Sequence, residues 1–397
     1  MDFKFANRIQ TLQPSVIREI LKADPDPEMI SFAAGNPSPL TFPTAAMQPL
    51  ANEIFENEAA PAFQYGVTEG YTPLRTATAE RISSKYGIGG EVDDLIITSG
   101  GQQAIELAAK VLCNEDDTVI CESPSFIGAL NAFRSFKLNL VGIETDENGM
   151  RVELLEDALR ANPNTRLIYT ISTFHNPGGC TLSLERRKKM LELAKKYDVL
   201  ILEDSPYFEL RYSGEYVPPI KSMDTEGRVI FAGSYSKVVA PGIRVGYACG
   251  HRDIISKMTV AKQVGDVHTN LFFQMLVHRF VTGGGFDAHI ENSCDLYRKK
   301  CGLMLDEMDK KIDRSKADWT KPDGGLFIWV TLKNGFDGME LCRIMKRRKL
   351  TCVPGSAFCV DETAVSSGIR LNFSLPSDEQ IVKGVGILAR AIDEFVK

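Results

Sequence analysis

The chain has 397 residues and a net charge of −6; 44% of it is hydrophobic and 25% charged. This is an ordinary globular balance, and the acidic excess argues against nucleic-acid binding, whose footprint is basic. No apolar run is long enough to span a bilayer, and the opening MDFKFANRIQ lacks a charged and apolar leader, so a cytoplasmic protein is expected.

The first elements are a puzzle of their own. PSVIREILK has an amphipathic helix pattern with Pro14 at its start, and FAAGNPSPLTFP reads as a Pro- and Gly-rich loop. From about Leu95 to Gly250 short apolar runs alternate with helix-period segments. LIIT is a strand. QQAIELAAKVLC puts Ile105, Ala108, Ala109 and Leu112 on one helix face. TVICE, a segment from Ser125 to Arg134, LNLVGIE, and the helix RVELLEDALRA come next. RLIYTIS, the helix SLERRKKMLELAKKY with Ser183 as N-cap, and VLILED continue the pattern, and RVIFAGS and RVGYACG add two more strands.

Apolar strands alternating with amphipathic helices predict a mostly parallel sheet covered on both faces. After about Phe286 the texture changes. A long helix to about Ile312, the strand LFIWVTL, a helix near MELCRIMKRRK, GIRLNFS and a terminal helix from Ser377 predict a smaller α+β domain. The expected division is an N-terminal segment 1–45, a large domain 46–285 and a small domain 286–397. Nine cysteines, none in a CxxC pair, read as reduced thiols that fill core positions.

Parallel sheets bind ligands at the carboxyl ends of their strands, which singles out Ser99, Asn176, Asp204 and Ser234. TSGGQQAIEL sets Ser99, Gly100 and Gly101 between a strand and a helix start. Free N–H groups and the helix dipole there suit a phosphate, although such turns are common simply as turns. In STFHNPGG, Asn176 before Pro177 is either a turn residue or a ligand-facing amide. In VLILEDSPYFEL, Asp204 at a strand end either caps the next element or carries chemistry, with Tyr207 three residues on.

The order of these pieces, closing with SYSKVVAPGIRVGY, resembles the fold-type I pyridoxal-phosphate (PLP) enzymes, specifically the class I/II aminotransferases. The likeness covers essentially the whole chain. PSVIREIL, ISFAAGNPSPLTFP and FQYGVTEGYTPLR look like the 2-aminoadipate and kynurenine/aminoadipate aminotransferase subgroup. The resemblance implies an α/β fold of the PLP-dependent transferase type I, with a mostly parallel central sheet in the large domain.

It also implies the residue roles. Lys237 is the Schiff-base lysine and proton shuttle. Asp204 keeps the pyridine nitrogen protonated. Asn176 and Tyr207 hydrogen-bond the ring oxygen. Ser234, Ser236 and Arg244 clamp the phosphate, with Gly100, Gly101 and Gln102 at the helix start. Phe126 stacks on the ring or is a core phenylalanine, and Tyr65 of the partner subunit reaches the phosphate across a homodimer interface. Arg370 takes the substrate carboxylate, with Asn176 and Gly35 beside the substrate. Arg18 either recognises the substrate or is solvated on the N-terminal helix.

Two positions depart from the subgroup: Ser-Gly-Gly-Gln replaces Ser-Gly-Ser-Gln at the phosphate turn, and Phe126 stands where tyrosine is usual. The resemblance implies transfer of an amino group from an L-amino acid to a 2-oxo acid, with 2-oxoglutarate the expected acceptor, in a ping-pong mechanism. A β-lyase of the C–S lyase type on the same fold is the alternative. An effector-binding module of a regulator ranks behind both, because the core begins too near the N-terminus for a DNA-binding domain. The five histidines show no metal-ligand spacing and no G-x-S-x-G elbow occurs, so neither a metal nor a serine hydrolase is expected.

Overall fold

In the central strands, consecutive residues bury themselves on opposite faces. Leu167 and Tyr169 pack into one core while Ile168 between them packs into another, and Leu202 and Ile201 divide in the same way. A strand buried on both faces needs a cover on each side, and the helices supply it. The computed structural model describes residues 3–10, 12 and 26–396. The expected helix PSVIREILK and Arg18 lie outside the described residues.

The strands in chain order are β1 (Ile30–Ser31), β2 (Asp93–Thr98), β3 (Thr118–Ser123), β4 (Asn139–Asp146), β5 (Gly149–Met150), β6 (Thr165–Thr170) and β7 (Leu200–Ser205). β8 (Val229–Ser234), β9 (Gly246–His251), β10 (Ala317–Trp319), β11 (Phe327–Leu332), β12 (Leu350–Thr351), β13 (Val353–Pro354) and β14 (Gly368–Asn372) follow. The large sheet has eight strands in the order β2-β9-β8-β7-β6-β3-β4-β5. From β8 to β4 the pairings are parallel, while β9 runs antiparallel to both its neighbours and β5 forms a short antiparallel edge.

Helices α1 (Gly101–Leu112), α2 (Ile127–Ser135) and α3 (Arg252–Gly265) cover one face of this sheet, through residues such as Ile105, Phe133 and Met258. Helices α4 (Val152–Ala161) and α5 (Leu184–Lys196) contribute Leu155, Leu159, Met190 and Leu193 to the opposite face. Ser183 caps α5, its hydroxyl accepting from the Arg186 N–H. The segment from Ser125 to Arg134 holds the second helix, which begins at Ile127 because Phe126 before it takes an extended backbone.

A second, antiparallel sheet runs β10-β11-β14-β13 and packs against α6 (Phe286–Lys311) and α7 (Asp378–Phe395). A full capping box, Ser377 with Gln380, starts α7. β1 pairs in parallel with β12 and so ties the segment after residue 26 to this second unit. The nine cysteines are free thiols. Among the described residues no helix is long and apolar enough to cross a membrane.

Candidate active site

A cavity of about 650 Å³ opens at the carboxyl ends of the parallel strands. β7 delivers Asp204, β8 delivers Ser234, the turn after β2 delivers Gly101 and Gln102, and the segment after β3 delivers Phe126. Asn176, Tyr207, Ser236, Lys237, Arg244, Gly35 and Arg370 complete the set of expected residues on its wall. Thus residues spread from position 35 to position 370 meet in one place.

One end of the cavity is built for an anion. Helix α1 starts at Gly101, and its N-cap Gly100, at φ +81°, supplies no side-chain cap. The first N–H groups of a helix have no acceptor within it, and those of Gly101 and Gln102 lie at the cavity. Arg244 closes the turn from above, donating from Nη2 to the Ser99 carbonyl oxygen (3.0 Å) and from Nη1 to the Ser236 hydroxyl (3.4 Å). The Ser236 N–H in turn donates to the Ser234 hydroxyl oxygen at 3.1 Å. Gly100 itself is buried behind the wall: a Cβ there would sit 2.3 Å from Arg244 Nη2. Arg244 has a positive φ of 51°, a conformation that costs a non-glycine residue energy and recurs at functional sites.

Across the cavity the charges are arranged for chemistry. Asp204 is buried, and among the described residues it forms no ion pair. Its one side-chain hydrogen bond comes from the Tyr169 hydroxyl, at 2.8 Å. Burial pushes its carboxyl up to about 7, further than the Tyr169 hydrogen bond pulls it down. Lys237 Nζ donates to the Gly35 carbonyl oxygen (2.8 Å) and stands 5.9 Å from the centre of the Tyr207 ring. Burial, then the guanidinium groups of Arg370 and Arg244, lower its amine to about 8. Such a lysine is a usable nucleophile and base near neutral pH.

Arg370 lies on β14, opposite Trp329 of β11 and Val353 of β13, and is almost wholly buried. It donates to Asn176 Oδ1 (3.0 Å) and to the Ala33 carbonyl oxygen (2.7 Å), while its Nε has no partner among the described residues. The rings of Phe327 and Phe358 lie 4.3 and 5.0 Å from its guanidinium carbon. Burial lowers Arg370 to about 10. Asn176 also approaches the Tyr207 hydroxyl, with its Nδ2 donating at 3.5 Å, and burial raises Tyr207.

These residues fit a pyridoxal phosphate. The anion end matches its phosphate. The uncompensated carboxylate of Asp204 calls for a protonated ring nitrogen, and Lys237 offers an amine to its aldehyde. Tyr65 lies outside the cavity, 80% exposed and edge-on to His268 at 5.9 Å. Ser99 is also outside the cavity and is engaged behind the turn. Sequence reasoning missed Tyr169 and the pair Phe327 and Phe358. A lone tyrosine in the aliphatic strand RLIYT was a readable signal for the first. For the other two no signal existed, because they meet Arg370 only through folding.

The family described as aminotransferase class I and II matches residues 27–388. The chain is 40% identical to aromatic-amino-acid aminotransferase 1 of Thermococcus litoralis, with 99% of this chain and 95% of that one covered. Its fold superposes on the kynurenine aminotransferase of Pyrococcus horikoshii, solved with PMP, KYN and KYA, at a TM-score of 0.95. There the identity is 39% and the coverage 99% and 98%. The α-aminoadipate aminotransferase of Thermus thermophilus, complexed with N-(5′-phosphopyridoxyl)-L-leucine, gives a TM-score of 0.90 at 33% identity, over 98% and 97% of the two chains.

Proposed function

The chain belongs to the class I and II aminotransferases, PLP-dependent enzymes of fold type I, and from that premise we propose a ping-pong transfer between an L-amino acid and 2-oxoglutarate. The names of its relatives point to aromatic amino acids, kynurenine and 2-aminoadipate as donors to try first.

The observation that carries this reading is the meeting, on one cavity wall, of Lys237, its amine lowered to about 8, and the buried Asp204, which has no cation partner among the described residues. When bound, the cofactor supplies the electron sink that makes the substrate Cα–H acidic. Asp204 holds the proton on the ring nitrogen. Asn176 and Tyr207 hydrogen-bond the ring oxygen, and Phe126 stacks on the ring. Gly101, Gln102, Ser234, Ser236 and Arg244 bind the phosphate, with Gly100 shaping the turn. Arg370 orients the substrate by its carboxylate, pairing its free Nε–H and a second N–H with the two oxygens. Lys237, released from Gly35, would take the substrate's Cα proton and deliver it to the cofactor's C4′, on the far side of the amino nitrogen.

The same reading assigns 46–285 and 286–397 to a large and a small domain, with 1–45 as a separate N-terminal segment, and makes the protein a homodimer in which Tyr65 serves the partner's phosphate. Nine free thiols support a reducing, cytoplasmic setting.

A half-reaction tests the transfer. An amino acid added without an acceptor should release one equivalent of 2-oxo acid per site, and 2-oxoglutarate should restore turnover. Sustained pyruvate and ammonia from cysteine conjugates, with no acceptor present, would replace transamination by the lyase reaction.

A further inference from the structure

Two adjacent glycines make the turn at Ser99–Gly101 intrinsically loose, since glycine loses more backbone freedom on ordering than any other residue. Gly101 also lacks the hydroxyl that a serine would offer there. Yet the amides of Gly101 and Gln102 bind an anion well only if the turn is already set. The structure shows what sets it, in a cluster that the expected site residues do not include.

Behind the turn, Gln103 accepts twice at Oε1, from the Ser99 N–H (2.8 Å) and from Lys262 Nζ (2.7 Å). Its Nε2 donates to Asp266 Oδ2 at 2.8 Å. The Ser99 hydroxyl donates to the same oxygen at 2.8 Å, and Lys262 Nζ donates to Oδ1 and Oδ2 of Asp266 at 2.8 and 2.9 Å. The Lys262 side chain is fully buried and that of Asp266 is 32% exposed. Lys262 and Asp266 are i and i+4 at the end of α3, so one rigid element from the far side of the chain grips Ser99 and the first turn of α1 together.

We propose that Lys262, Asp266 and Gln103 are positioning residues for the cofactor phosphate, acting through Ser99 to hold the amides of Gly101 and Gln102 aimed into the cavity. This rests on reading that turn as the phosphate cradle. The cluster never touches the ring or the substrate, so its effect should follow the phosphate group alone.

The cofactor-free protein is titrated with PLP and with pyridoxal, which lacks the phosphate. Wild type should prefer PLP. Lys262→Met and Asp266→Ala should each raise the Kd for PLP by about tenfold, the scale of one hydrogen bond to a charged group, and leave pyridoxal within about twofold. Asp266→Ala separates geometry from charge, because removing a nearby negative charge would by itself tighten an anion. Ser99→Ala, which removes only the hydroxyl link, serves if Lys262→Met does not fold. The proposal is overturned if folded variants keep the wild-type ratio of the two affinities, if both ligands weaken alike, or if Asp266→Ala tightens PLP. A wild type with no preference for PLP would instead remove the phosphate cradle itself, and the proposal with it.

Discussion

Lys237 is held in the cofactor-free protein at a cost. Its amine falls from the usual 10.5 to about 8 in the fold, so between those values the unfolded chain binds more protons than the folded one. Stability therefore rises with pH across that window, and the full penalty of holding a charged amine there is present below about pH 8. Lys237→Met should stabilise the cofactor-free protein at pH 7 by on the order of 2 kcal/mol, less its hydrogen bond to Gly35, with the gain fading by pH 10.5. The same variant should lose at least about a hundredfold in activity. Denaturant titrations at several pH values check the first effect, and an unchanged difference across the window would refute it. Gly101→Ser is the opposite kind of change. A Cβ at 101 would meet only Ser234 Cβ at 3.8 Å and Asp204 Oδ1 at 3.9 Å. The hydroxyl should fit and tighten PLP by roughly three- to tenfold as an added phosphate donor; PLP titration reads it, and an equal or weaker Kd would contradict it. Lys237, Asp204, Asn176 and Arg244 were legible in the sequence because each follows an apolar run in a telling order. Lys262 and Asp266 were not: on α3 they read as an ordinary i, i+4 pair, and their partner Ser99 is more than 160 residues away.

Part of the element order was legible from periodicity. The six- to eight-residue strands and the helices Gly101–Leu112, Val152–Ala161, Leu184–Lys196, Phe286–Lys311, Gly338–Arg347 and Asp378–Phe395 emerge from their apolar spacing, whereas Thr44–Asn57, Thr72–Tyr86, Arg252–Gly265 and Leu271–Thr282 were not read from the sequence. Two-residue strands such as β1 and β12 carry no period at all, and the reversed direction of β9 leaves no mark on an apolar run buried on both faces. Yet β1 matters for the site. Its continuation is pinned at Phe32 on both sides, by Phe32 N–H to the Thr351 carbonyl and Asn372 N–H to the Phe32 carbonyl. The next residue, Ala33, accepts from Arg370. The buried Phe32 ring leans on Gly384 of α7, where a Cβ would come within 2.3 Å of its tip. With the backbone held, Gly384→Ala must displace that ring. It should cost roughly 1–3 kcal/mol and raise KM for the amino acid more than it lowers kcat, since Ala33 helps aim Arg370. Thermal melting with steady-state kinetics separates the two effects, and an unchanged melting temperature would show that the helix moves instead.

At the scale of the whole molecule, one surface is out of keeping with the rest. Phe55, Phe63 and Tyr65 are exposed, and Phe272 stacks on Phe63 at 6.1 Å and tilts against Phe55 at 5.2 Å. A contiguous exposed aromatic patch on a folded chain marks an association surface. Here Tyr65 stands within it, outside its own cavity, which is where a residue bound for a neighbour's site should stand. In the proposed homodimer the second copy would be a structural part of each site, and the two functions proposed for the patch are separable. Phe63→Glu buries a charge in the interface and should weaken dimerisation by about a hundredfold or more, with PLP lost on dilution as the copies part. Tyr65→Phe removes only the hydroxyl. It should leave the dimer intact and weaken PLP by about tenfold, as one lost donor to a phosphate. Sedimentation over falling protein concentration, paired with PLP titration, distinguishes them. A Phe63→Glu protein that stays dimeric at nanomolar concentration would place the interface elsewhere. A Tyr65→Phe protein with wild-type affinity would mean that each chain builds its phosphate site alone.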